Sequence, residues 1–246
     1  MVVFRMSRHR NLLEMHLEAL YTHDDAGRLL RVREPNGAPA PRFFLGRAAD
    51  GSIVRRYRHD VDDTLRLALE NAPLSDTLRS PVDHETHAAD ELARYAAILD
   101  QFAPVQNPEA GPAFCFPAIL PAPYDDVDDA VTLVTEANAG ILQPLLPAWL
   151  PDVQLSPPLL ALVIDGAAVS VCGSVRITPR AHEAGVDTAR AFRGRGYAPR
   201  VVAAWARTLR ARGVEPLYST SWRNAASRSV ARKLGLVQFG SSLHLG

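Results

Sequence analysis

The sequence predicts an α/β protein, most clearly from residue 159 onward. Two apolar runs, Leu159–Ile164 and Ala167–Ile177, flank an Asp-Gly pair, which is typical of two strands joined by a tight turn. Farther on, Tyr197–Arg212 carries apolar residues at steps of four, the spacing of a helix with one buried face. Strands that alternate with helices in this way favour a mixed central sheet with flanking helices.

The remaining C-terminal elements complete the order β-β-β-α-β-α-β. Helix boundaries are indicated by an asparagine before an apolar run and by a glycine after it. We expect a strand at 184–188, a glycine-broken loop at 192–196, a strand at 217–221, a helix that Asn224 caps and Gly235 ends, and a strand at 237–245.

The N-terminal part is predicted to form a smaller α+β unit over residues 1–110, ahead of a second domain at 111–246. Two hairpins are indicated: Leu17–Val32, with turn residues at 24–27, and Arg42–Arg58, with a turn at Asp50-Gly51. We also expect helices at 61–71, 88–102 and 128–142, and a short strand near 114–116. This unit matches no motif; we hypothesise that it covers a substrate site or mediates a homodimer.

Charge is distributed unevenly along the chain. Residues 1–174 hold 14 basic and 24 acidic side chains, whereas residues 175–246 hold 13 basic and 3 acidic ones. Such asymmetry suggests that the basic part binds an anion, although the two parts could also attract each other. Lys233 is the only lysine, so the arginine excess also fits the base composition of a genome.

Several classes of protein are excluded by composition and spacing. Without an apolar run long enough for a signal or a membrane span, we expect a cytoplasmic protein with no membrane partner. The two cysteines, Cys115 and Cys172, are expected to be buried and reduced. His84 and His87 are three residues apart, where the zinc-protease motif needs four, so no metal is expected.

The segment from Arg193 to Ala198 reads Arg-Gly-Arg-Gly-Tyr-Ala and lies between a predicted strand and a predicted helix. Glycines let the backbone approach an oxyanion, and the first turn of a helix offers unpaired N–H groups. Pro199 removes only an N–H that has no helical partner. The segment therefore predicts an anion site of the pyrophosphate-binding kind, although the glycines alone would also fit an ordinary turn.

Two other phosphate-binding patterns do not fit this segment. The dinucleotide-binding fingerprint needs a third glycine, and Pro199 stands in its place. The P-loop needs Gly-Lys-Ser/Thr, which is missing. Nucleic acid is an unlikely partner for the basic part, because no recognised reading motif accompanies it.

The same segment resembles the Arg/Gln-x-x-Gly-x-Gly/Ala motif of the GNAT superfamily of N-acetyltransferases. Downstream, Tyr218–Ser227 leads to Ala231–Leu236, with an asparagine near the helix start and a Lys-Leu-Gly-Leu ending, which resembles the next strand and helix of that family. The resemblance covers 159–246. It implies a GNAT-like domain that transfers acetyl from acetyl-CoA to an amine of a small molecule or peptide.

The resemblance also implies where acetyl-CoA binds, namely between two diverging strands around 184–188 and 217–221. Main-chain groups of Val186 and Thr188 would hold the pantetheine and the thioester carbonyl. Asn224 would bond the pantetheine, or serve only as the helix N-cap. The pyrophosphate would lie on the N–H groups of six consecutive residues: Arg193, Gly194, Arg195, Gly196, Tyr197 and Ala198.

Direct transfer to an amine requires a base, because the amine must lose a proton. Glu183 is the first candidate and His182 the second; each also fits an ordinary polar residue at a strand end. An acidic group of residues at 125–129 fits a solvated helix start, or a surface that attracts a cationic amine.

The leaving thiolate needs a proton donor, and many family members use a tyrosine where this chain has Ala231. Tyr218 is the candidate that replaces it, with Ser219 and Ser221 as alternatives, although Tyr218 also fits the core. The missing tyrosine keeps a second function open, that of an acetyl-CoA-binding sensor with little catalysis.

Overall fold

The structure is a computed structural model that describes residues 7–35, 37–74, 83–124 and 129–246, with the backbone alone described at 83–87. The acidic residues at 125, 126 and 128 and the side chains of His84 and His87 therefore lie outside the described residues. The chain divides into two compact units. The first comprises Met1–Ala113, Ser219–Asn224 and Gln238–Gly246, and the second comprises Phe114–Tyr218 and Ala225–Val237.

The helices and strands of the described residues are numbered in chain order. The helices are α1 (Arg8–Leu20), α2 (Asp63–Asn71), α3 (Asp83–Leu99), α4 (Asp152–Leu155), α5 (Tyr197–Ala211) and α6 (Ala225–Lys233). The strands are β1 (Tyr21–His23), β2 (Leu29–Val32), β3 (Phe43–Ala48), β4 (Ile53–Tyr57), β5 (Glu109–Cys115), β6 (Val131–Val134), β7 (Leu159–Ile164), β8 (Ala167–Ile177), β9 (Ala181–Thr188), β10 (Glu215–Ser219) and β11 (Val237–Leu245). Short 3-10 turns occupy Ala139–Leu142, Pro147–Trp149 and Arg190–Phe192.

The first unit is α+β. Strand β3 pairs antiparallel with β4 on one side and with β11 on the other, and β1 pairs with β2 as a hairpin. Residues of α2 and α3 pack with β3 and β11 in one apolar cluster around Phe43 and Tyr95. Two segments from beyond residue 218 also belong to this unit, so it is not one continuous stretch of chain. A domain boundary at 110/111 stays a prediction.

The second unit contains a mixed sheet in the order β10-β9-β8-β7-β6. Strands β9 and β10 are parallel, and the other neighbours are antiparallel. Helices α5 and α6 cover one face through a core that includes Trp205, Val230 and Leu234, and the segment 139–156 packs on the other. The predicted α/β class with a mixed sheet and flanking helices is confirmed.

Several sequence-based boundaries differ from the structure. The predicted helix at 128–142 is wrong: β6 pairs with β7 from Val131–Leu162 to Val134–Leu159. Its Val-Thr-Leu-Val sequence favours a strand once a sheet edge is available. Within the described part of the predicted span, the helical residues are those of the 3-10 turn at Ala139–Leu142. The first predicted hairpin starts too early, because α1, capped by the Ser7 side chain, runs to Leu20.

Strand β8 contains one extra residue relative to β9. The register passes from Ser174–Ala184 to Arg176–Glu183, which leaves Val175 as a β-bulge. Just before the bulge, two glycines, Gly173 and Gly185, face each other across the strands. A Cβ at Gly185 would lie 2.1 Å from Cγ1 of Val175 and 3.3 Å from the ring of Trp149. The glycine therefore allows these side chains to lie against the backbone of β9.

Gly185→Ala should destabilise the second unit, because its methyl group overlaps Val175 and overpacking a filled site costs about 2 kcal/mol. Urea denaturation measures the change in the free energy of unfolding. Gly140→Ala is the matched control: its Cβ would have no neighbour within 4 Å, so we expect a change within about 0.5 kcal/mol. Adding Val175→Ala to Gly185→Ala should recover part of the loss; equal losses in the single and double variants would contradict this account.

Candidate functional site

Strands β9 and β10 separate part-way along their length. Their parallel register comprises three pairs, from Ala181–Glu215 to Glu183–Leu217. Beyond them β9 continues to Thr188 and β10 continues past Tyr218, and no further pair joins these fully described strands. Since each strand then has an edge without a sheet neighbour on this side, an extended ligand can lie between them and pair with the backbone.

The loop after β9 leads into the N-terminus of α5 through two glycines. Gly194 and Gly196 have φ values of 77° and 81°, in the left-handed region that favours glycine. A Cβ at either position would meet no atom within 4 Å, so the space beside this backbone is open. Gly196 is the N-cap of α5, and no side chain caps the helix there. The first turn of α5 therefore has no side-chain cap and has open space beside the glycines that precede it, which suits an anion.

Three exposed arginines surround this loop: Arg190, Arg193 and Arg195. The Arg193 side chain is held in place, because its Nε donates to the carbonyl of Thr188 at 2.9 Å and its guanidinium lies 3.5 Å from the Asp187 carboxylate. Arg195 lies over the ring of Phe192, 5.3 Å from the ring centre. The loop therefore adds positive charge to the partial positive end of the helix.

Other arginines of the basic segment have a structural role. Arg210 donates to the carbonyls of Phe116 and Ala118, at 2.9 and 3.3 Å, and Arg207 donates to the carbonyl of Tyr124. These bonds attach the proline-rich segment before β6 to helix α5. The arginines of the basic segment therefore have two roles: some bind backbone carbonyls within the unit, and others are exposed in the loop. Only the exposed ones can contribute charge to an anion site, so their number is smaller than the total.

The predicted pantetheine-binding residues lie on the separated part of β9. Val186 pairs with Cys172 of β8 and has no sheet partner in β10. The backbone of Thr188 is already engaged on both sides: its N–H donates to the Asp187 carboxylate at 2.7 Å, and its carbonyl accepts from Arg193. A ligand that pairs with Thr188 would have to replace these bonds, so Asp187 and Arg193 compete for this position.

The two candidate bases occupy opposite faces of the sheet. The side chains of Ala184 and Val186 pack against the α5–α6 core, and His182 shares their face because strand side chains alternate. Glu183 therefore projects to the other face. It is 1% exposed and pairs with Leu217 in β10 and with Arg176 in β8.

His182 belongs to a hydrogen-bonded chain beneath α5. Its Nδ1 lies 2.9 Å from Oγ of Ser174, which accepts a hydrogen bond from the indole N–H of Trp205 at 3.1 Å. Burial, and then the positive charge of Arg212, lower the pKa of His182. The imidazole is therefore neutral at pH 7, and its contacts give it a place in the core of the second unit.

Tyr218 is a core residue with a specific polar partner. Its side chain is 1% exposed and lies in the same cluster as Trp205 and Ala231. Its hydroxyl lies 2.7 Å from Oγ of Ser227 in the first turn of α6. Burial raises the pKa of Tyr218 to about 12. The phenol therefore keeps its proton at neutral pH, and it faces away from Glu183.

The remaining candidates lie between β10 and α6. Asn224 directly precedes Ala225, the first residue of α6, and its backbone N–H donates to the carbonyl of Ser221 at 3.0 Å. Oγ of Ser221 accepts from the N–H of Arg223 at 3.1 Å. Neither contact distinguishes a ligand-binding asparagine from one that begins a helix, so both interpretations of Asn224 remain.

Other features of the described residues bear on metal and membrane binding. No cluster of three or more His, Cys, Asp or Glu side chains among them could hold a metal ion. Within the same part of the chain, no helix has the length and apolarity needed to cross a membrane.

Cys115 and Cys172 are buried free thiols, and burial raises the pKa of Cys172.

Three residues near the site were not singled out from the sequence. Ser227 is the partner of the Tyr218 hydroxyl, Arg176 stands opposite Glu183, and Trp149 lies across Gly173 and Gly185. The contact with Trp149 had a signal in the sequence, namely the glycine pair, because glycines in neighbouring strands indicate the close approach of another group. The position of Arg176 depends on the bulge at Val175, for which the sequence carries no signal.

Comparison with known proteins identifies one family. Residues 160–240 match the family model of the GNAT acetyltransferases. No curated protein matches the chain.

Several solved structures are similar to the chain. A GNAT-family protein from Novosphingobium aromaticivorans is 21% identical over 58% of this chain and 66% of its own, just under two thirds, with a TM-score of 0.48. A GCN5-related N-acetyltransferase from Kribbella flavida is 15% identical over 98% and 96%, with a TM-score of 0.49. A GNAT-family acetyltransferase from Colwellia psychrerythraea is 12% identical over 86% and 83%, with a TM-score of 0.47. These similarities are too distant to carry an argument about activity.

Tyr218→Phe should change how stability depends on pH. Because the pKa of Tyr218 is raised from 10.0 to about 12 in the folded state, its contribution is present below pH 10 and is lost as pH rises toward 12. In urea denaturation, the variant should lose about 1–2 kcal/mol less stability than the wild type between about pH 9 and pH 11.5. Tyr57 also has a pKa of about 12, but it is present in both proteins. Equal losses would show that Tyr218 titrates normally.

Proposed function

We propose, from the match of residues 160–240 to the family model of the GNAT acetyltransferases, that the protein transfers an acetyl group from acetyl-CoA to an amine of a small molecule or peptide. One observation carries the proposal: the uncapped N-terminus of α5 and the open backbone at Gly194 and Gly196 adjoin the gap between β9 and β10. An anion held by the N–H groups from Arg193 to Ala198, called the anion cradle below, would lie beyond the end of this strand edge. Such an arrangement suits a cofactor with a pyrophosphate and an extended amide chain.

The residues of the cradle suit such a cofactor in charge. The N–H groups from Arg193 to Ala198 would hold the pyrophosphate, and the exposed arginines would offset its charge. Val186 would pair with the pantetheine along β9, where β10 offers no partner. Thr188 would pair with it after Asp187 and Arg193 release its backbone groups. Acetyl-CoA supplies the activated acetyl group when bound.

We propose Glu183 as the general base of the transfer. It lies on β9, at the last pair before the strands separate. Since its side chain is 1% exposed, it would take the proton of the acceptor amine through one bridging water. Backbone N–H groups at the separated edge of β9 would stabilise negative charge on the thioester oxygen.

The leaving thiolate needs a proton donor. Tyr218 was the predicted donor, but its buried phenol has a pKa raised to about 12 and is bonded to Ser227. A donor with so high a pKa gives up its proton reluctantly, which favours a structural role. The assignment of Tyr218 as the acid stays a prediction, with Ser219 and Ser221 as its alternatives.

A second proposed function, an acetyl-CoA-binding sensor with little catalysis, starts from Ala231. Ala231, at the position where many family members have a tyrosine, is 2% exposed and packed in the core beside Tyr218. A protein without a proton donor here would bind acetyl-CoA with little turnover and act as a sensor. Steady-state turnover against a panel of amines separates the two functions: binding without turnover supports the sensor.

The compartment and partners are part of the proposal. The buried free thiols of Cys115 and Cys172 suit a reducing compartment, and we propose the cytoplasm. The partner is the acceptor amine; the homodimer and the role of the first unit in covering the acceptor remain hypotheses.

Acetyl-CoA binding should depend on the cradle. In Gly196→Asp, a carboxylate stands where the pyrophosphate would lie, so we expect calorimetric titration to show the Kd for acetyl-CoA rising at least about 100-fold. Gly213→Asp is the matched control, because Gly213 also has a positive φ, of 71°, and open space, but lies just past the other end of α5. Both variants carry the same backbone strain, and only the first should lose binding. Wild-type protein that does not bind acetyl-CoA would exclude the proposed function.

Glu183→Gln should slow the transfer while leaving acetyl-CoA binding intact. Loss of a general base lowers kcat by about 100- to 1,000-fold, because the amine then loses its proton to water. Glu215→Gln is the control, since Glu215 lies in the paired part of β10 and has no proposed role in the reaction. Thermal unfolding of both variants checks that they fold. If kcat is unchanged in Glu183→Gln, another group is the base.

A further inference from the structure

The bulge in β8 determines which residue stands opposite Glu183. After the pair Ser174–Ala184, the extra residue Val175 shifts the register so that Arg176 pairs with Glu183. In a strand without the bulge, Val175 would face Glu183, and Arg176 would stand opposite His182. Because a shift of one residue exchanges the faces of a strand, the bulge gives Arg176 a position on the face of Glu183.

Antiparallel partners of this kind lie close together. Directly opposed residues have Cβ atoms about 5 Å apart, which is well within the reach of an arginine side chain. Of the two residues that pair with Glu183 in the sheet, Leu217 is apolar and Arg176 is cationic. A carboxyl side chain that is 1% exposed needs polar or charged partners in place of water.

We propose that Arg176 is a positioning residue for Glu183, which holds the carboxylate in the orientation that serves the acceptor amine. The proposal rests on the proposed function. The guanidinium has a planar fork of donors, so it can fix one carboxylate oxygen while the other accepts the proton. The proton moves from the amine, through water, to Glu183; Arg176 keeps its charge and transfers nothing.

Three variants test this role through kcat. Arg176→Gln should lower kcat by about 10- to 100-fold, because the carboxylate loses the group that orients it, while the Kd for acetyl-CoA stays within about two-fold. Arg176→Lys should restore part of kcat, since it returns the charge without the fork. Arg180→Gln is the control: it removes the same charge from an exposed position in the turn between β8 and β9, and kcat should not change.

Non-additivity is the deciding measurement for the pair. In the Glu183→Gln background, Arg176→Gln should cause little further loss of kcat, because the group that it orients is already gone. If Arg176→Gln keeps the wild-type kcat, or if the two losses multiply, the positioning role is overturned while the proposed function stands.

A second readout does not depend on activity. Urea denaturation of the same single and double variants gives the fold-change in the unfolding equilibrium constant for each. The fold-change in the double variant should be at least about five-fold smaller than the product of the two single fold-changes. If the wild type binds no acetyl-CoA or transfers no acetyl group, the proposed function fails, and this cycle still tests the pair. Multiplicative effects on unfolding would overturn the pairing itself.

Discussion

The separation of β9 from β10 is the constraint on which the candidate site depends. Parallel strands normally remain paired along their shared length, and here the ladder stops at Glu183–Leu217 while both strands go on. Because of the separation, one edge of β9 has no strand partner beyond Glu183, which belongs to the last pair. The chain continues from this part of β9 through the glycine loop to the N-terminus of α5. An open strand edge can pair with any extended chain. Because this edge leads to the anion cradle, it favours a ligand that has both an extended chain and an anionic group.

The β-bulge and the glycine pair beside it adapt the neighbouring strand to this arrangement. Val175 lies against the backbone of Gly185, and the ring of Trp149 lies across Gly173 and Gly185. The backbone of β9 is therefore supported from one face by packed side chains and from the other by the α5–α6 core. Support on both faces allows a strand that has lost its sheet neighbour to stay extended, and a rigid edge loses little entropy when a ligand pairs with it.

Sequence patterns predicted the local parts of this fold better than the non-local ones. The β7–β8 hairpin and helix α5 follow from an Asp-Gly turn and from a stripe of apolar residues, both of which act over short distances. The predicted helix at 128–142 was wrong because Val131–Val134 becomes a strand only through pairing with β7. The glycine-rich loop was identified from its residues, whereas the partners of Glu183 and Tyr218 were not. Register and side-chain partners depend on how distant segments meet, and a single sequence does not encode that in any local pattern.

The order in which the strands of the first unit are made has a consequence for the growing chain. Strand β3 pairs with β11, although the whole of the second unit lies between them in the sequence. During synthesis, the ribosome therefore completes β3 long before its partner exists, and the open edge of β3 stays available to other chains for most of translation. The β3 sequence, Phe-Phe-Leu-Gly-Arg-Ala, begins with three apolar residues. Aggregation through this edge is therefore the greatest hazard during this interval, and this is the stage at which chaperone binding would help most.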